Sequence, residues 1–130
     1  MFVLDTNTLI YFFKDMGRVR ENMRAAKPEE ICIPTVVLYE LRVGLAKSAS
    51  PQQRIQKLER ILETSQVATF DAKAATVSAL IRANLEKNGT PIGPVDVLIA
   101  GTAMSLNATL VTRNIGEFSR VIGLDIVSWF

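Results

Sequence analysis

Apolar residues recur along this chain in two periods, and the alternation between the two periods lays out the fold. Phe2-Val3-Leu4, Ile31-Cys32-Ile33, Val67-Ala68-Thr69-Phe70, Thr109-Leu110-Val111 and Asp125-Ile126-Val127 are short runs that read as strands, with Pro34 closing the second. Between them the period lengthens. Leu9, Ile10, Phe12 and Phe13 make a short apolar-faced helix, and residues 18–26 make another that stops near Pro28. Thr35 to Ala46 puts Val36, Val37, Leu41 and Leu45 on one helical face. Ser50-Pro51-Gln52-Gln53 predicts a helix start, with Ser50 as N-cap, Pro51 in the first turn and Gln53 completing a capping box. Ile55, Leu58 and Leu62 follow as its apolar stripe, with Arg54, Lys57 and Arg60 on solvated faces. Asp71 suits the N-cap of a helix over Ala72–Asn88, which Gly89 closes. Gly93 and Pro94 open a helix over Val95–Leu106, Asn107-Ala108 turns into the next strand, and a short helix falls at Gly116–Ser119. Strands alternating with helices predict an α/β fold: a parallel sheet with helices on both faces, in one domain over residues 1–130.

Composition narrows the chemistry. The chain has no apolar run near the ~18 residues a membrane span needs, and its start lacks the basic region and cleavage site of a secretory signal. The single cysteine, Cys32, sits between two isoleucines as a small buried hydrophobe, so a reducing cytoplasm is the expected compartment. A net charge of +2 is compatible with a nucleic-acid partner without establishing one. There is no histidine. That removes Ser-His-Asp and Cys-His catalysis, any imidazole base and histidine-bearing zinc sites. A metal would be held by oxygen ligands, which favours Mg²⁺ or Mn²⁺.

Most of the thirteen acids lie in polar surroundings; three do not. Asp5 ends the first apolar strand, at the edge of an α/β sheet where ligands bind, and it also suits the N-cap of the helix that follows. Glu40 shares a helical face with Val36, Val37 and Gly44, and Asp96 shares one with Ile99, Ala100 and Ala103. Small residues at Ala100, Gly101 and Ala103 would let the Asp96 helix approach the sheet closely. An unpaired buried carboxylate costs several kcal/mol, so each needs a cation, a donor or a wet cleft. Arginines from elsewhere would answer for one acid; three together favour a carboxylate cluster around a divalent ion.

The arrangement closely resembles the PIN-domain ribonucleases, and within them the VapC toxins of VapBC toxin–antitoxin pairs. The resemblance is carried by Asp5-Thr6-Asn7 after the first strand, Glu40 after Ile33-Pro34-Thr35, and Pro91-Ile92-Gly93-Pro94-Val95-Asp96 with Ile99-Ala100. Leu110-Val111-Thr112-Arg113-Asn114 with Glu117-Phe118 completes it, so that it spans essentially the whole chain. The resemblance implies a three-layer α/β/α domain with a short parallel central sheet and a Mg²⁺- or Mn²⁺-dependent endoribonuclease. It implies Asp5, Glu40 and Asp96 as catalytic metal ligands. Such proteins often have a fourth acid after the Thr112 strand; here Asn114 stands there and Glu117 follows one helical turn on, which leaves the charged Glu117 and the neutral Asn114 as the two candidates for the fourth ligand. Thr6, Asn7, Thr112 and Asn114 would hold the ligands by hydrogen bonds, with Asn7 equally suited to capping a helix, and Arg113 is either an RNA-phosphate contact or a surface arginine at a strand end. Thr102 stands where relatives often carry histidine. The resemblance further implies a VapB-type antitoxin partner, a homodimer, and initiator tRNA cut in its anticodon loop. Residues on the 18–26 and 50–63 helices are candidates for the antitoxin groove.

Two other chemistries fit less well. A phosphoryl-transfer enzyme of the haloacid-dehalogenase type needs a second Asp at position 7, which is Asn, and a receiver module needs paired acids at the first strand. A catalytically silent RNA-binding or scaffold domain on the same fold is the alternative, yet it would be free to lose the three buried acids.

Overall fold

The computed structural model describes all residues, Met1–Phe130. Five short strands, β1 (Phe2–Leu4), β2 (Ile31–Pro34), β3 (Gln66–Ala68), β4 (Thr109–Val111) and β5 (Ile126–Val127), form one all-parallel sheet in the order β3-β2-β1-β4-β5. Seven helices cover it: α1 (Thr6–Phe13), α2 (Val19–Ala25), α3 (Thr35–Lys47), α4 (Gln52–Thr64), α5 (Ala72–Lys87), α6 (Pro94–Ser105) and α7 (Ile115–Phe118). This is the three-layer α/β/α arrangement expected. Val3, Leu4, Ile33, Leu110 and Val111 are fully buried, as strands covered on both faces must be. Cys32 is buried and free, and burial pushes its thiol pKa up.

The strand order creates the site. From β1 the chain winds outward through β2 to β3, then returns across the sheet by α5 and α6 to lay β4 on the other side of β1. The order therefore reverses at β1, and the carboxyl end of the strands at such a switch point is the usual ligand position of these sheets. β1 pairs with β4 in the register Phe2↔Thr109, Val3↔Leu110, Leu4↔Val111, which sets Asp5 beside Thr112.

Helix ends follow from local chemistry. Gly89, at φ +68°, closes α5 with its amide on the Glu86 carbonyl and the Thr90 amide on that of Leu85. Asn107, at φ +52°, closes α6 in the same way through Met104 and Ala103. The last carbonyls of α1 have no basic residue in their own turn; Arg20 donates to the Phe12 carbonyl at 3.0 Å and Lys57 to that of Phe13 at 3.1 Å.

Four expectations need correction. The capping box at Ser50 does not form: α4 begins at Gln52 with no side-chain cap, and Ser48 instead accepts from the Ser50 amide and from Arg54. Lys57 is half-buried on α1 rather than solvated, and Ile61 is buried where Leu62 is only half-buried. β3 stops at Ala68, because the Phe70 amide leaves the ladder for the Thr35 hydroxyl. Gly101 faces α5 rather than the sheet: a Cβ there would overlap Ser78, so the missing side chain brings α5 and α6 together.

Candidate active site

Asp5 follows directly on β1, its amide donating to the Val111 carbonyl of β4 at 3.1 Å. Its backbone is extended (φ −79°, ψ 171°) and its Oδ1 accepts from the Thr8 amide at 2.8 Å, which makes it the N-cap of α1. The Thr8 hydroxyl in turn donates to the Val111 carbonyl at 3.1 Å. Only 6% of Asp5 is exposed, and its second oxygen meets no protein donor. Capping and cleft are therefore both true of this residue.

Glu40 reaches the same corner from α3. The Thr6 hydroxyl, in the first turn of α1, donates to its Oε1 at 2.5 Å. Asp96 stands in the first turn of α6, where the helix dipole favours a carboxylate. Its Oδ2 lies so close to Gly93 that a Cβ there would approach it to 3.2 Å. Glu117 comes from α7, its carboxylate accepting from the Asn114 side-chain amide. Asn114 caps α7 and is held in turn by its own amide, which donates to the Thr112 hydroxyl at 3.0 Å.

Asp96 feels the charge of the other three acids. Burial pushes Asp96 up to about 6, and the charges of Glu117, Asp5 and Glu40 push it in the same direction. No base relieves them: the ion pairs of the molecule are Arg18–Glu21, Arg20–Asp15, Arg42–Glu59 and Arg82–Glu86, all elsewhere. Arginine partners therefore do not explain these acids. As they stand, no three of them make a group that could hold a metal ion; Glu40 is bonded to Thr6 and Glu117 to Asn114. In donor type and in uncompensated negative charge the set fits a hard divalent cation.

The structure thus brings Asp5, Glu40, Asp96 and Glu117 together, with Thr6 and Asn114 bonded to two of them. Thr112 reaches the cluster through Asn114. Asn7 is exposed and makes no side-chain hydrogen bond. Arg113 is stacked on aromatic rings. The sequence reading missed Thr8, whose amide and hydroxyl tie Asp5 to β4; its spacing three residues after the cap was the available signal.

Comparison with known proteins identifies the family. A family model described as the PIN domain matches residues 2–124. A tRNA(fMet)-specific endonuclease VapC from Shigella flexneri is 40% identical over 131 residues, covering 98% of this chain and 97% of that protein. The protein of the same name from Salmonella typhimurium is 37% identical with the same coverage. A crystal structure of DNA-bound VapBC from Salmonella typhimurium matches with a TM-score of 0.92 at 37% identity, over 99% of this chain and 98% of that one. The chain belongs to the PIN-domain family. Within that family it groups with the VapC proteins.

Proposed function

We propose that this protein is the toxin of a toxin–antitoxin pair and a divalent-metal-dependent endoribonuclease that cuts initiator tRNA in its anticodon loop. One observation carries the nuclease reading: Asp96 feels the charge of three further carboxylates from three other elements near the sheet's switch point, and none of the four is in an ion pair. A silent scaffold would have no use for that cost. The names of the relatives from Shigella flexneri and Salmonella typhimurium support the tRNA substrate.

In this reading Asp5, Glu40, Asp96 and Glu117 hold Mg²⁺ or Mn²⁺. When bound, the ion supplies an acidified water and offsets charge on the phosphate being attacked. The chain does the positioning. Thr8 pins one oxygen of Asp5 and leaves the other facing the cleft. Thr6 orients Glu40, and Asn114, anchored on Thr112, orients Glu117.

The partner reading has its own support. A groove of about 420 Å³ between α1, α2 and α4 is lined by Phe12, Met23 and Ile61, with Arg24, Lys57 and Arg60 around it. It suits an antitoxin segment that carries both apolar and acidic side chains. Tyr39 and Val43, one turn apart on α3, stay exposed and offer an apolar strip for a homodimer.

The test is cleavage of purified initiator and elongator tRNAs with EDTA, Mg²⁺ or Mn²⁺, with mapping of the new 5′ ends. Metal-dependent cuts confined to the initiator anticodon loop are expected. Cleavage in EDTA overturns the metal, and equal cutting of elongator tRNA overturns the substrate. Induced expression of the chain alone should arrest growth, and harmless accumulation counts against a toxin.

A further inference from the structure

Arg113 is held in an unusual way for an exposed arginine. Its guanidinium carbon lies 3.6 Å from the centroid of the Phe130 ring and 5.7 Å from that of Tyr11. The two rings meet edge to face, 5.0 Å apart at 73°. It makes no ion pair and donates no hydrogen bond, so its N–H fork is unused, whereas Arg120 is committed to the Pro91 carbonyl and Arg54 to Ser48.

The platform beneath it is anchored. The Phe130 carbonyl accepts from the Arg18 amide at 2.5 Å, and the Trp129 carbonyl accepts from Asn22 at 3.2 Å. Trp129 is buried, its ring 4.9 Å from that of Phe2. Gly17, at φ +60°, makes room: a Cβ there would overlap Phe130. Segment 128–130 is thus fastened to the α1–α2 corner, and its last ring supports a cation.

The location gives the cation a purpose. Arg113 stands between Thr112 and Asn114, the pair that positions Glu117. Tyr11 lies six residues along α1 from Asp5, a rise of about 9 Å. A polyanion approaching four carboxylates is repelled unless a positive group meets it beside them. Stacking a guanidinium on a ring fixes its plane and leaves its edge donors directed outward, which suits the two-oxygen face of a phosphate.

We propose that Arg113, held by Phe130 and Tyr11, binds a backbone phosphate flanking the one that is cut, with Phe130 as its positioning residue. This rests on the ribonuclease reading above. A phosphate contact, unlike base readout, weakens binding of every sequence alike and lowers its salt dependence.

The experiment measures binding of two unrelated single-stranded RNAs and of initiator tRNA to the cleavage-deficient Asp5→Asn chain in Mg²⁺, at several salt concentrations. Adding Arg113→Gln should weaken all three about tenfold and reduce the slope of log K against log salt by about 0.7 on the single strands. Phe130→Leu should weaken binding with the slope retained, and Phe130→Tyr should restore it. In the otherwise unaltered chain, Arg113→Gln should raise KM with little change in kcat. Unchanged affinity and slope in Arg113→Gln, loss for one RNA only, or a Phe130→Tyr that behaves as Phe130→Leu overturns the proposal while the nuclease reading stands. A parent chain that neither binds nor cuts RNA overturns both.

Discussion

The N-termini of α1 and α5 use one device for two ends. Asp5 and Asp71 each sit in extended backbone and each accept, through Oδ1, from the amide three residues on: Thr8 at 2.8 Å and Ala74 at 2.9 Å. Asp71 does this exposed to solvent. Asp5 does it buried, at the carboxyl end of the central strand, with Glu40, Asp96 and Glu117 around the same space. A cap contributes about 1 kcal/mol, which suffices for Asp71 and explains only one oxygen of Asp5. A cap signature and the catalytic role proposed for Asp5 therefore do not compete. Place in the topology separates them.

Replacing each aspartate breaks the comparison most sharply. Asp5→Ala and Asp71→Ala should each lose about 1 kcal/mol of stability as the cap goes. Only Asp5→Ala should lose cleavage, by more than the 10- to 100-fold that loss of an outer hydrogen-bond partner costs, roughly. Asp5→Asn, which keeps a capping side chain, should fold normally and still not cut. Chemical denaturation beside a single-turnover assay reads both quantities, and an active Asp5→Asn would make Asp5 a second Asp71.

The next largest effect concerns Glu117 and the residue that holds it. Glu117→Gln should raise the Mg²⁺ needed for half-maximal cleavage about 10- to 100-fold, and Asn114→Ala by about tenfold or less, because it frees Glu117 without removing its charge. Metal titrations of the two variants check this. An unchanged requirement in Glu117→Gln would make it a surface acid in the first turn of a short helix, as solvated as Asp71.

Support beneath the cluster is tested at Gly101. Gly101→Ala forces α5 and α6 apart at Ser78 and should cost about 1–3 kcal/mol, read as a lower denaturant midpoint. Gly44→Ala, on α3 where a Cβ meets nothing, should be neutral or slightly stabilising.

The smallest effect is the stability cost of mutual repulsion. Without metal, folded Asp96 keeps its proton up to about 6, whereas its ordinary value is 3.8. Between those values the folded chain holds a proton that the unfolded chain has released, so stability falls as pH rises from about 4 through 6 and levels off above. Partial exposure of Asp96 reduces the loss to about 1 kcal/mol. Urea midpoints in EDTA at pH 4.5 and 7.5 measure it. Asp96→Asn should flatten the difference, saturating Mg²⁺ should do the same, and Asp71→Asn should leave it intact.

What the sequence revealed was whatever is local. A short apolar run stopping at Asp5, and a Gly-Pro helix start followed by Asp96 among apolar neighbours, each break a local rule that only a cleft explains. The Asp71 cap and the Gly89 closure were legible for the same reason. What escaped depended on competitors that no single period or spacing displays. Ser50 caps nothing: α4 starts at Gln52, and Ser48, two residues before Ser50, accepts from the Ser50 amide and from Arg54. Phe70 left its strand for a hydroxyl on Thr35. Gly101 read as a small residue on the sheet side, and only the course of α5 shows that Ser78 needs the space. The stack of Phe130 on Arg113 joins residues with no shared period, and no pattern could announce it.

The insertion of β4 beside β1 has a consequence in time. The Thr8 hydroxyl meets the Val111 carbonyl across 103 residues of chain, and Asn114 and Glu117 arrive only with the same strand. At roughly 5–20 residues per second, a ribosome needs about 5–20 s between making Asp5 and making β4. Throughout that interval the growing chain carries acids but no cleft. A message broken before codon 109 encodes something that cannot assemble the cluster at all. The order of synthesis thus acts as a delay line, and the molecule arms itself only once its sheet has received the fourth strand.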